Sequence, residues 1–323
     1  MKTLKKVLLG TAVVSTFLSV NVVHAQAKVM IGEPSWPGAK IMANLIGQVI
    51  TSRLGGEVGY APGANAVIFE AMDGGRGDID VHPDVWLPNQ SSFTDKFVDG
   101  KGTVALSKGS YKGQTGFCTP TYMNDKNIKS IYDLGTPLAQ KLYDSNGDGK
   151  GELWAGASGW ASTNISKIKV RDYGIQDFLE PTTEDEAVFY ARLKDAVAEK
   201  KGVVFYCYKP HYVHALYDVT FVEEPEHDPA QYKVVQPDQD ADWFKKSKIT
   251  TGDKVKTVRV AYSKSLESRN KAAASFLANI DMNSDALSQL TYQVVVKGED
   301  INSAVSSWIA ANGKIIDGWL GLN

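Results

Sequence analysis

The run from Asp144 to Glu152, DSNGDGKGE, sets oxygen-bearing side chains at alternate positions around Gly147, Gly149 and Gly151. That pattern can wrap a hard cation such as calcium. Asp144, Asn146 and Asp148 match the first, third and fifth positions of a D-x-N-x-D-G loop, and Gly149 supplies its sharp turn. The Lys150 carbonyl and Glu152 fall at the next two coordinating positions. The match then stops, because Ala155 stands where such a loop carries a bidentate Glu. Glu152 or a distant carboxylate must therefore complete the shell, with water. The expected role of the ion is structural, and the competing reading is a solvated Gly/Asp turn.

Just beyond lies Trp160, in the glycine-bordered loop GASGWA. Trp36, Trp86 and Tyr208 also follow predicted strands, beside Pro or Gly residues. Aromatic faces on such loops read as walls of one pocket, and they attract cations that have no hydrogen-bond donor of their own. Trp154, at a strand start, reads as core, and Trp243, Trp308 and Trp319 as packing or surface. Enzyme chemistry finds little footing. The segment GASGW lacks the second glycine of a G-x-S-x-G elbow. His82, His211, His214 and His227 lack zinc-site spacing, and there is no phosphate loop or dinucleotide fingerprint.

The elements that must position these residues alternate between strand and helix. Lys28–Ile31 reads as a strand, followed by a helix capped by Ser35 with Pro37 in its first turn and an apolar stripe of Ile41, Leu45, Ile46, Val49 and Ile50. A strand over 57–60, a helix over 64–72 and a strand over 78–82 lead into Pro83 and Trp86. The pattern restarts after Gly109. Thr183 and Glu186 form a capping box for a helix that runs to Gly202, and the next strand, 203–207, delivers Tyr208 and His211. This alternation implies an α/β fold in two lobes, each a mostly parallel sheet flanked by helices. Ligands of such sheets sit at the carboxyl ends of strands. The lobes are expected as 28–110 with 222–323, and 111–221, joined by two crossings.

The 323 residues are 43% hydrophobic and 22% charged, with a formal net charge of −2. Nothing in that balance argues for nucleic acid or an anionic membrane. Residues 1–27 read as a secretory signal peptide: Lys2, Lys5 and Lys6, then an apolar run from Val7 to Val20, then small residues up to Ala25 and Ala27. The mature chain is expected in the periplasm. There Cys118 and Cys207 are free to form a disulfide, with two buried thiols as the alternative.

Gly32-Glu33-Pro34-Ser35-Trp36, the run Gly77-Asp78-Ile79-Asp80-Val81 leading into Trp86, Gly159-Trp160-Ala161, and Tyr208-Lys209-Pro210-His211-Tyr212 resemble the substrate-binding proteins of ABC importers for glycine betaine, proline betaine and related methylated osmolytes. The order of these features matches across nearly the whole mature chain. The resemblance implies a two-lobed fold of the type II periplasmic binding protein kind that closes on its ligand and hands it to a membrane permease; the protein is expected to be a monomer and not an enzyme. Tyr208 stands where many members carry Trp, and the acidic loop at 144–152 is not general in the family.

A quaternary ammonium is expected in a cage of Trp36, Trp86, Trp160 and Tyr208, with Glu33 adding a negative charge beside it. At about 0.5–2 kcal/mol per desolvated face, several faces reach micromolar affinity. The anionic end needs donors. The helix start at Gly38 supplies N–H groups and a favourable dipole, and the resemblance adds His211. Glycine betaine is the favoured ligand, ahead of trimethylamine N-oxide, then dimethylsulfoniopropionate or choline. The rivals from other classes are a sugar- or peptide-binding protein and a periplasmic enzyme.

Overall fold

The computed structural model describes residues 27–322, so the signal peptide lies outside the described residues except for Ala27. Strand β1 (Val29–Glu33) pairs in parallel with β2 (Val58–Pro62) and β3 (Val81–Leu87). Helix α1 (Pro37–Leu54) joins β1 to β2, and helix α2 (Asn65–Gly74) joins β2 to β3. The apolar stripe of α1 is buried from Ile41 to Ile50. In the second half, β6 (Gly151–Trp154) pairs in parallel with β7 (Leu179–Thr182) and β8 (Val204–Lys209). Helices α3 (Ala161–Asp172) and α4 (Glu186–Ala198) make its crossovers. Each half is thus a parallel triplet covered by helices.

Antiparallel strands weld the two triplets into one curled sheet, which the expectation of two mostly parallel sheets did not contain. Strand β12 (Lys256–Ser263) runs antiparallel to β3, to β4 (Val104–Leu106) and to β5 (Tyr111–Pro120). Strand β5 is the shared element. Its first residues, Tyr111–Gly113, pair with β12, and Gln114–Cys118 pair with β8. The short β9 (Val219–Phe221) closes its far end. Cys118 and Cys207, in register neighbourhood on β5 and β8, form a disulfide.

The return crossing falls later than residue 222. The hairpin of β10 (Tyr232–Lys233) and β11 (Lys248–Ile249) lies on α3, where Ile249 packs with Ile165 and Ile168. Arg171 of α3 donates to the carbonyls of Phe244 and of Ser247, the latter at 2.6 Å. The chain re-enters the first half only at Lys256. A buried ion cluster sits there: Lys169 is 2.7 Å from Glu224 and 3.3 Å from Asp253, and Lys256 is 3.5 Å from Asp253. Burial pushes the Asp253 carboxyl up, but Lys169 and Lys256 outweigh it and hold it well below the usual range.

Two expected caps do not form. Trp36, not Ser35, is the N-cap of α1, with no side-chain bond. Helix α4 starts at Glu186 with Asp185 as its N-cap, so Thr183 and Glu186 make no capping box. Both side chains are engaged elsewhere, at the site.

Candidate functional site

Strand β3 extends beyond its predicted end at His82 to Leu87, because antiparallel pairing with β12 holds Trp86 opposite Val258. The register slips between Arg259 and Ala261, opposite Pro83, which has no N–H to give the ladder. Trp86 is therefore a strand residue and not a loop residue. Asp84 precedes it by two positions and shares its face of the sheet.

Asp84 is fully buried. Its Oδ2 accepts from Trp36 Nε1 at 2.5 Å and from Trp86 Nε1 at 2.9 Å, and its Oδ1 accepts from the Tyr111 hydroxyl. Burial raises its pKa, and the three donors recover only part of the shift. One carboxylate thus pins two indoles by their rims and leaves their faces available.

Trp160 arrives from the other half, as the N-cap of α3. Its loop needs glycine: Gly156 has φ +125° and Gly159 φ +79°. A Cβ on Gly156 would also lie 2.4 Å from Thr163 Oγ1. Trp160 Nε1 donates to Ser35 Oγ at 2.9 Å, so the residue expected to cap α1 instead ties the two halves together. Behind Trp160 stands Trp154, stacked on Phe189 at 4.3 Å, in the core as expected.

Tyr208 lies within β8, and its hydroxyl donates to Glu186 Oε1 at 2.8 Å. Glu186 does for Tyr208 what Asp84 does for the indoles. Burial, then the Glu186 charge, hold the phenol neutral, well above its usual pKa. Gly113 on β5 makes room for the neighbouring indole, since a Cβ there would meet Trp86 Cζ3 at 2.5 Å.

The four rings meet nearly at right angles. Trp36 and Trp160 are 5.9 Å apart at 84°, Trp160 and Tyr208 6.2 Å at 83°, and Trp86 and Tyr208 5.5 Å at 82°. They wall a small cavity between the halves, whose remaining lining is Asn65, Asn89, Gln90, Ala161, Ser162 and Tyr206. Among the described residues, neither Lys nor Arg lines it. Tyr206 sits two positions before Tyr208 on β8, so strand alternation pointed to it. Asn65, Asn89 and Gln90 carry no comparable sequence signal.

Three expected site residues stand apart from this cavity. Glu33 lines an adjoining cleft, together with Ser35, Lys40 and Ser158, which shares Trp36 and Trp160 as its wall. Gly38 lies behind Trp36; a Cβ there would be 3.8 Å from Asp84 Oδ2 and 3.9 Å from Trp36 Cδ1. The first turn of α1 is thus near the Asp84 carboxylate and does not line the cavity. His211 meets Tyr208 edge-on from behind, at 4.6 Å, and lies tilted against Tyr212 at 4.2 Å, and it lines a separate cleft. Its Nδ1 accepts from the Val213 N–H at 3.2 Å. Its Nε2 is 3.0 Å from Glu186 Oε1, at an angle that makes no hydrogen bond.

In the acidic loop, carboxylate oxygens of Asp144, Asp148 and Glu152 lie within 4.8 Å of one another. Backbone N–H groups of Gly147 and Gly149 donate to Asp144, at 2.7 and 3.0 Å. Asn146 Nδ2 donates to Asp148 Oδ2 at 3.0 Å, and the Lys150 N–H to Asp148 Oδ1 at 2.8 Å. Glu152 Oε1 is buried with no hydrogen-bond partner among the described residues.

The family described as the substrate-binding domain of ABC-type glycine betaine transport systems matches residues 27–311. The glycine betaine-binding periplasmic protein OusX of Dickeya dadantii is 26% identical over 215 residues, a match that covers 62% of each chain. A glycine betaine and L-proline-binding protein (ProX) from Borrelia burgdorferi superposes with a TM-score of 0.72 at 17% identity, covering 91% of this chain and 96% of that one. An ABC-transporter choline-binding protein in complex with choline gives 0.71 at 15% identity, covering 91% of each. At those identities the two structures establish the fold alone.

Proposed function

Because the chain belongs to the family of substrate-binding domains of ABC-type glycine betaine transport systems, we propose that it captures a methylated onium osmolyte, glycine betaine by preference, and delivers it to an importer's permease. The family is one of transport domains and not of enzymes. The observation that carries the ligand class is the box of four rings around one cavity, each meeting its neighbour nearly at a right angle, with the carboxylates of Asp84 and Glu186 bonded to the ring rims. Such faces hold a charge that no hydrogen-bond acceptor needs to reach. The ligand's anionic end takes Ser162 and the start of α3 at Ala161, where helix N–H groups and dipole favour it. His211, behind Tyr208, is not assigned to it. A sugar pocket would add charged side chains for the hydroxyls, and this lining has no Arg, Lys, Asp or Glu among the described residues.

The protein acts in the periplasm as a monomer that closes about β5 and the Asp253–Lys256 crossing. Isothermal calorimetry with glycine betaine, trimethylamine N-oxide, dimethylsulfoniopropionate and choline tests the reading. Glycine betaine is expected to bind at micromolar affinity or better and to rank first. Heat from a sugar and from none of these four would overturn it.

We also assign a structural calcium ion to Asp144, Asp148 and Glu152, with the Lys150 carbonyl and Asn146 beside them. What supports it is three converging carboxylates, one of them with a buried, unpartnered oxygen. The ion would stiffen the approach to β6 and the Trp160 loop. Chelation is expected to lower the melting temperature by several degrees, and Asp148→Ala to abolish that sensitivity. A wild-type melting curve indifferent to both chelator and added calcium would remove the assignment.

A further inference from the structure

The amide side chains of the cavity are oriented by a chain of hydrogen bonds that starts at a backbone group. The Asp84 N–H donates to His82 Nδ1 at 3.2 Å. A backbone N–H can only donate, so Nδ1 carries no proton. His82 is fully buried, and that burial pushes its pKa down to about 3, leaving the ring neutral. Its one ring proton is therefore on Nε2, which lies 2.9 Å from Asn65 Oδ1. Asn65 Oδ1 is thereby an acceptor, and its Nδ2 turns to the Gly159 carbonyl at 3.4 Å. Gln90 Nε2 donates to the same Asn65 Oδ1 at 3.2 Å. Reversing the Gln90 amide would set two carbonyl oxygens against each other.

Gln90 is therefore held with its oxygen as the free end. Gln90 Oε1 is buried and has no hydrogen-bond partner among the described residues, and the same is true of Asn89 Oδ1 beside it. Both residues line the aromatic cavity and are more than nine-tenths buried. Buried acceptors without partners are rare, and each is a position where something electropositive belongs.

We propose that Gln90, oriented by His82 through Asn65, is a specificity-determining residue whose carbonyl oxygen seats the methylated cationic end of the ligand. This rests on reading the aromatic cavity as an onium site. Methyl groups on a quaternary nitrogen carry the spread positive charge, so a carbonyl oxygen attracts them through C–H···O contacts while the rings cover their other sides. A carboxylate placed against Gln90 would meet an acceptor that the Asn65 lock prevents from turning. The zwitterion is thereby oriented, with its methyl groups toward Gln90 and its anionic end toward Ser162. Asn65 and His82 are positioning residues in this scheme.

The test compares tetramethylammonium, which has only the cationic end, with glycine betaine by calorimetry. The proteins are the wild type, Gln90→Met and Asn65→Leu, each checked for folding by its melting curve. Gln90→Met keeps the length of the side chain and removes the acceptor. It is expected to weaken both ligands by the same factor, about five-fold or more. Asn65→Leu keeps Gln90 but frees its amide, and is expected to weaken both ligands equally and by less; it decides the matter if Gln90→Met does not fold. A variant that changes glycine betaine alone would place Gln90 at the anionic end and overturn the proposal, as would unchanged affinity for both ligands. A wild type that binds neither ligand would remove the onium reading itself, an outcome distinct from a wild type that binds both while the variants leave binding untouched.

Discussion

Asp84→Ala is expected to lower the free energy of unfolding by about 3–5 kcal/mol, a large share of the roughly 5–15 kcal/mol that holds a typical domain together. The substitution strands three buried donors at once: the indole N–H groups of Trp36 and Trp86, and the Tyr111 hydroxyl. Each stranded group retains about 1–3 kcal/mol of desolvation penalty that water can no longer relieve. Asp84→Asn does not repair this. All three neighbours are donors, and an amide replaces one acceptor oxygen with a fourth donor. Both variants are expected to loosen the indoles, so glycine betaine affinity should fall below the melting transition as well. Denaturant unfolding of the ligand-free protein measures the first effect, and calorimetry the second. An Asp84→Ala protein within about 0.5 kcal/mol of wild type would show that the carboxylate does not hold the cage.

Trp160→Ala is expected to weaken glycine betaine binding by about 30–100-fold, or roughly 2–3 kcal/mol. The ring supplies one wall of the cavity, meeting Trp36 at 5.9 Å and Tyr208 at 6.2 Å. It also carries the bond to Ser35 that joins the halves. Trp160→Phe separates the two roles, since it keeps an aromatic face and loses the donor. It is expected to fall between wild type and Ala. A Phe variant as weak as Ala would give the larger share to the Ser35 tie, and unchanged affinity in Ala would remove Trp160 from the cage. Trp308→Ala, on the helix Ile301–Ala311 and outside the cavity lining, serves as the control expected to bind normally.

Much of the architecture was legible in the chain because its signals are local. The apolar stripe from Ile41 to Ile50, the Pro37 start and the strand–helix alternation each depend on residues a few positions apart, and α1 and the first parallel triplet follow from them. The aromatic residues were legible as types: Trp36, Trp86, Trp160 and Tyr208 all line the cavity, because large rings at strand ends and glycine turns have few other uses.

What the chain alone left open depends on partners distant in sequence. Antiparallel pairing with β12 made Trp86 a strand residue, and β12 begins at Lys256. Packing of the β10–β11 hairpin on α3 moved the return crossing past residue 222. Ser35 and Glu186 read locally as caps, yet each found a partner across the fold, Trp160 Nε1 for Ser35 and the Tyr208 hydroxyl for Glu186. A hydrogen-bonding side chain at a helix start gains about as much from one acceptor or donor as from another of equal geometry. The choice is made by which group the folded chain buries beside it. The same holds for Asp84 and Gln90: the sequence names a carboxylate and an amide, and only burial against two indoles, a phenol and an oriented Asn65 turns them into an anchor and an acceptor.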